Sequence, residues 1–192
     1  MSRVFSSVLL ILFIQSACAS KTEAPSQGQI ENKVGDLFSL APREAVSLLA
    51  KDEALASSAY KGIESGDSKW LDLYKRVRPA SDASVSESLD QSIGLAIVHN
   101  PTAAIDAMVE VRKSEVGRKT LLQYLNWPCG ATTADFSEPE GNKDKERVAK
   151  DAASRELKAK IKALKSIKSS NVRTANDCKE IAQQALKRWK SK

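Results

Sequence analysis

The chain is predicted to be all-α. We expect an array of short antiparallel helical hairpins, HEAT-like if a faint internal echo is a true repeat, followed by a longer basic C-terminal hairpin. Three observations predict this. Aromatics make up only 5% of the 192 residues, while Ala, Ser, Lys, Leu and Glu dominate, a composition that favours helix over strand. Apolar residues recur every three or four positions, and no run alternates in the β manner. Pro, Gly and Asp punctuate the sequence at intervals that suit helix starts and stops.

The first segment, 1–19, reads as an export signal. Arg3 gives a positive start, residues 8–14 an apolar run, and Ser16-Ala17-Cys18-Ala19 a small-residue cleavage site. The apolar run is too short to span a bilayer, which takes about 20 residues. Two processing routes stay open: cleavage after Ala19, or lipidation at Cys18. The stretch Ile14-Gln15-Ser16-Ala17-Cys18 resembles a bacterial lipoprotein box, from which Gln15 departs. The product is then periplasmic, or lipid-anchored at a membrane through Cys18. Residues 20–29, rich in Ser, Gln, Pro and Thr, are expected to form a flexible tether. Residues 30–192 are expected to form one domain, large enough for a proper core.

Within that domain, Pro42 opens a helix over 42–51 with Val46, Leu49 and Ala50 on one side. A second follows over 52–65 and stops at Gly66. Asp67 caps a third over 68–77, whose stripe is Trp70, Leu71, Leu73, Tyr74 and Val77, and Pro79 stops it. Asp82 or Ser84 begins a longer helix to His99. Asn100-Pro101 ends that one and begins the next, through about Val111. Ser114 opens a further helix, closed by Pro128. Residues 130–143, with two Gly, a Pro and several acids, form the one long loop. A helix over 144–169, a break at 171–174 and a helix over 175–190 complete the chain. The echo lies in Pro42, Ala45, Val46 and Leu49, whose spacing is matched by Pro101, Ala104, Ile105 and Met108.

The segment Gly66-Asp67-Ser68-Lys69-Trp70-Leu71, with Arg78-Pro79, Glu87-Ser88-Leu89 and His99-Asn100-Pro101, resembles small exported proteins of unassigned function in Gram-negative bacteria. The resemblance covers roughly residues 60–110 and implies a compartment and a helical fold.

Cysteine usage carries chemistry. With Cys18 removed or lipidated, Cys129 and Cys178 remain, and an oxidising compartment is expected to join them. A loop of this length is worth about 3–4 kcal/mol in the chain-entropy model. A redox or nucleophilic thiol is disfavoured, since there is no CxxC motif and the only histidine is distant in sequence.

Charge is divided. Residues 20–141 carry 13 basic and 18 acidic side chains, whereas residues 142–192 carry 16 and 6, so an acidic body precedes a basic tail. On the helix over 144–169, Ala149, Ala153, Leu157, Ile161 and Leu164 share one side. Arg147, Arg155, Lys158, Lys162 and Lys165 share another and form the candidate face for an anionic partner. A solvated face, or one that covers the acidic body, is the simpler alternative.

Other chemistry is disfavoured. Nucleic acid is an unsuitable partner despite a pI near 9.2, because export removes it and no recognition motif is present. His99 suits a helix C-terminus, no metal-ligand cluster exists, and no cofactor is implied. There is no G-x-S-x-G elbow. Glu87 and Asp90, one turn apart, read as the exposed start of a helix, so no catalytic residue is assigned. Trp70 and Tyr74 are expected in the core, and Trp127 is expected against a disulfide.

The expectation is therefore a non-enzymatic interaction protein of the bacterial envelope, toxin-neutralising (an immunity protein) or an accessory subunit, with a protein partner. One alternative is electrostatic binding of an anionic membrane surface or glycan through the basic C-terminal helices. Another is a carboxylate-dependent cell-wall enzyme.

Overall fold

The structure, a computed structural model, describes residues 27–114, 121–136, 143–168 and 170–191. The segment read as an export signal, including Cys18, lies outside the described residues, as does most of the expected tether. Among the described residues there are nine α-helices and no strand. They are α1 (Gln27–Leu37), α2 (Pro42–Lys51), α3 (Glu53–Glu64), α4 (Ser68–Val77), α5 (Ala83–His99), α6 (Pro101–Ser114), α7 (Leu121–Gly130), α8 (Lys143–Leu164) and α9 (Val172–Ser191). Two 3-10 turns, Arg78–Ala80 and Thr133–Phe136, interrupt them.

The helix starts follow local side-chain chemistry. The first amides of a helix lack intrahelical acceptors, and short polar side chains supply them. Asp52 accepts from Leu55 N, Asp67 from Lys69 N and Asp82 from Val85 N, at 3.0, 2.9 and 3.3 Å. Asn100 does the same for α6, accepting from Ala103 N at 3.4 Å, and its amide donates to Gly66 O at 3.1 Å. Gly66 ends α3 with φ of +73°, a conformation that costs a side chain with a Cβ. Pro42 and Pro101 stand at the first positions of α2 and α6, where no amide is missed. The residues at matched offsets behind them, Ala45, Val46 and Leu49, and Ala104, Ile105 and Met108, are all buried.

Several boundaries differ from expectation. Helix α1 takes in residues 27–29 of the expected tether. Pro128 does not close α7, which runs on to Gly130; it stands inside the last turn, where it has no N–H to give the Tyr124 carbonyl as an i+4 donor. The long loop therefore starts after Gly130 and holds a 3-10 turn, with residues 137–142 outside the described part. Helix α8 ends at Leu164, not 169, and α9 starts at Val172, not 175. No Gly or Pro marks either end, and Ile167 is buried in the connection.

Packing centres on α5. It touches α2, α3, α4, α6, α7 and α8, and its Leu89, Ile93, Ala96 and Ile97 are fully buried. Helices two apart in sequence also meet: α1 with α3, α2 with α4, α3 with α5, α4 with α6, α5 with α7, and α7 with α9. Helix α8 departs from this order and lies on α9 and α5. Arg76 of α4 donates to the carbonyls of Leu37 and Phe38 at 2.8 and 2.6 Å, which satisfies the open C-terminus of α1. The Phe38 ring lies 4.9 Å from the half-buried Trp70 ring.

The α5–α7 contact depends on a glycine. A Cβ at Gly94 would stand 2.0 Å from the Pro128 carbonyl oxygen, a backbone atom that cannot swing aside. Gly94→Ala is expected to destabilise the protein by about 3 kcal/mol through this overpacking. Urea unfolding followed by circular dichroism measures it, and an unchanged midpoint would refute the close approach.

Candidate functional site

The C-terminal pair α8–α9 carries the residues singled out by charge. Arg147, Arg155, Lys158, Lys162 and Lys165 are all exposed, four of them on α8. Arg147 meets Asp144 at 3.4 Å, near the start of α8 among other acids. Lys165 lies in the turn beyond the last residue of the helix. Arg155, Lys158 and Lys162 line the second half of α8. Exposed Lys165, Lys168 and Arg173 continue the same charge around the α8–α9 connection. No Asp or Glu occurs over residues 157–176.

One lysine of this helix is not on the surface. Lys160 is 1% exposed, donates to Ala131 O at 2.7 Å and meets Glu156 Oε1 at 3.3 Å. Glu156 Oε2 accepts from Thr133 N and Thr133 Oγ1 at 3.1 and 3.0 Å. A cation buried with a carboxylate and a carbonyl is satisfied, and it pins α8 to the 3-10 turn after α7. The signal lay in the spacing. Position 160 falls three residues after Leu157 and four before Leu164, on the apolar side of the helix wheel.

A second buried network overturns the expectation for Asp90. It is 6% exposed, not part of a solvated helix start. Arg78 Nε and Nη2 donate to its two oxygens at 2.7 and 2.8 Å, a bidentate pair. The Tyr74 hydroxyl donates to Asp90 Oδ1 at 3.2 Å. With its one proton given there, Tyr74 accepts from the Tyr124 hydroxyl. The Arg78 guanidinium also stands 5.6 Å from the centre of the Tyr124 ring. Burial works against the Arg78 charge, yet the Asp90 hydrogen bonds and charge outweigh it and hold the group above its ordinary pKa. Burial likewise pushes the Tyr74 phenol well up, with Tyr124 and Asp90 adding to it. This cluster ties α4, α5 and α7 together at the centre of the molecule.

Cys129 of α7 and Cys178 of α9 form the expected disulfide, both fully buried, with Cα atoms 5.2 Å apart. It joins the C-terminal pair to the body.

Two hollows flank α8 and α9. The first, about 380 Å³ and shallow, lies between α3, α5 and α8; Glu64, His99, Arg155 and Glu156 line it. Burial raises the Glu64 pKa, opposed by Lys61 and reinforced by Glu156. A carboxylate whose pKa is higher folded than unfolded favours folding most when both forms are protonated. That contribution is lost as pH rises through the folded pKa. Glu64→Gln is therefore expected to raise the melting temperature at pH 7, with the gain vanishing below the unfolded carboxylate pKa of about 4.3. Melts across pH 3–8 check this; a gain that persists at the acid end would contradict it.

The second hollow, about 350 Å³ and half-open, lies between α7 and α9. Asn126, Trp127, Arg188 and Trp189 line it over Gly130 and Ala185. Trp127 is 38% exposed, and its indole N–H donates to Glu87 O of α5 at 3.2 Å, which sets the ring. Trp189 packs on a small cluster formed by Leu157, Ala182 and Ala185.

Among the described residues, no group of three or more His, Cys, Asp or Glu could hold a metal ion, and no helix is long and apolar enough to cross a membrane. His99 ends α5, as its place before Asn100-Pro101 suggested. Comparison with known proteins gives no match to a family model, a curated protein or a solved structure.

Proposed function

We propose that this protein is an exported, non-enzymatic interaction protein of the bacterial envelope, of the toxin-neutralising or accessory-subunit kind. Its C-terminal helix pair meets an acidic surface on a partner protein. The observation that carries this reading is the run of exposed cations at Arg155, Lys158, Lys162, Lys165, Lys168 and Arg173, in a segment whose residues 157–176 include no Asp or Glu. A surface of one sign steers an oppositely charged partner and fixes its orientation. The buried disulfide supports an oxidising compartment.

The test is capture of an envelope partner by the parent chain and by an Arg155→Gln, Lys158→Gln, Lys162→Gln variant. A single species held at about 0.1 M salt, released near 1 M and lost in the variant supports the reading. Equal capture by both chains counts against it.

Exposed Val148, 62% accessible beside Arg147, favours a second reading in which the same helix lies on an anionic lipid surface. Sedimentation with phosphatidylglycerol vesicles, in the absence of any protein partner, separates the two. Of the two carboxylates that line the first hollow, a carboxylate-dependent enzyme would use Glu64, since Glu156 is engaged by Thr133 and Lys160. Loss of a wall-hydrolysing activity in Glu64→Gln would establish it.

A further inference from the structure

We propose that the hollow between α7 and α9 binds an acidic sugar ring. It offers three kinds of surface at once. Two indoles, Trp127 and Trp189, supply large apolar area. Asn126 supplies an amide that both donates and accepts. Arg188 supplies a planar cation, and Lys187 and Lys190 are exposed on the same end of α9. No described carboxylate lines the hollow, so the charge it presents is positive.

This combination selects its occupant. A purely apolar ligand would leave Asn126 and Arg188 without use, and a small inorganic anion would leave the indoles bare. A pyranose has an apolar C–H face that lies on an indole, hydroxyls that pair with an amide, and, when it carries a carboxylate, a fork-shaped acceptor for guanidinium. The Trp127 indole N–H is already given to Glu87 O, so its ring is held in place before any ligand arrives. The floor is made by Gly130 and Ala185, and Gly130 brings the backbone close. A Cβ there would come within 3.2 Å of Ile181 and 4.0 Å of Arg188 Nη2. The half-open mouth admits a ring that continues as a chain.

The site is separate from the cations of α8, and its chemistry does not depend on the partner proposed above. The choice of a wall-derived sugar as probe rests on the export reading. The experiment is a titration of the oxidised chain with N-acetylmuramic acid, glucuronic acid and N-acetylglucosamine, read by tryptophan fluorescence. A saturable change is expected with the acidic sugars, roughly tenfold tighter than with the neutral one, as a charge-assisted hydrogen bond requires. Arg188→Gln should bring the acidic sugars to the level of the neutral one, and Trp127→Ala should lose binding while keeping its helical circular dichroism. The Arg155→Gln, Lys158→Gln, Lys162→Gln variant should bind as the parent does. Glucuronic acid bound and N-acetylmuramic acid refused would support the hollow and count against the wall as its source. No saturable change, equal response to all three sugars, an unaltered Arg188→Gln titration, or loss of binding in the α8 variant would each overturn the proposal.

Discussion

Replacing Asp90 by alanine is expected to destabilise the protein by about 3–5 kcal/mol, because it leaves the Arg78 guanidinium buried without its counter-charge. For a domain of this size that lowers the melting temperature by roughly 10 °C. The reason lies in the geometry. Both Asp90 oxygens accept from Arg78, and the Tyr74 hydroxyl is aimed at one of them. Tyr74→Phe removes the hydrogen bond donated to the Asp90 carboxylate and the one accepted from Tyr124, and is expected to cost about 2–3 kcal/mol. The double variant Asp90→Leu, Arg78→Met, which removes both charges, should be less harmed than either charge deletion alone. Strict additivity in that cycle would show that the pair does not act as a unit.

Removing the disulfide is the second large effect. A bond between residues 49 apart restricts the unfolded chain by about 4 kcal/mol in the loop-entropy model. Cys129→Ser with Cys178→Ser is expected to lower the urea midpoint accordingly, and reduction of the parent chain should bring it to the same value. The native consequence is local. The bond sits where α9 meets α7, so its loss should loosen the C-terminal pair first. Hydrogen exchange should then rise in α9 before it rises in α5, whose side chains form the centre of the core. Uniform loss of protection would indicate that the pair and the body unfold as one.

Much of the fold was legible because its signals are local. Asp67 and Asp82 stand immediately before the helices they cap, and Pro42 and Pro101 occupy first-turn positions that proline suits. The disulfide followed from counting cysteines in a chain whose first residues read as an export signal. What was not legible depends on partners distant in sequence. Nothing near Asp90 shows that Arg78 will reach it from another element, so its place beside Glu87 read as a solvated helix start. Helix α5 is buried on more than one side, so its apolar pattern is broad and hides which polar positions turn inward. Lys160 was readable by spacing, but its own charge argued against the core until Glu156 and Ala131 O were seen to satisfy it. The end of α8 escaped for a different reason: no Gly or Pro stands there to mark it.

The cations of α8 were legible from sequence, and all five candidate residues are exposed; Lys165 lies beyond the last residue of the helix. The hollow beside Trp127 was invisible in sequence, because Trp127 and Trp189 are 62 residues apart and meet only through α7–α9 packing.

The most direct test of the proposed binding surface is lysine crosslinking of the protein to its partner in intact envelopes, read by mass spectrometry. Intermolecular crosslinks should concentrate at Lys158, Lys162, Lys165 and Lys168. Crosslinks confined to the rest of the body, at Lys51 of α2 or Lys69 of α4, would contradict the assignment of binding to the C-terminal pair.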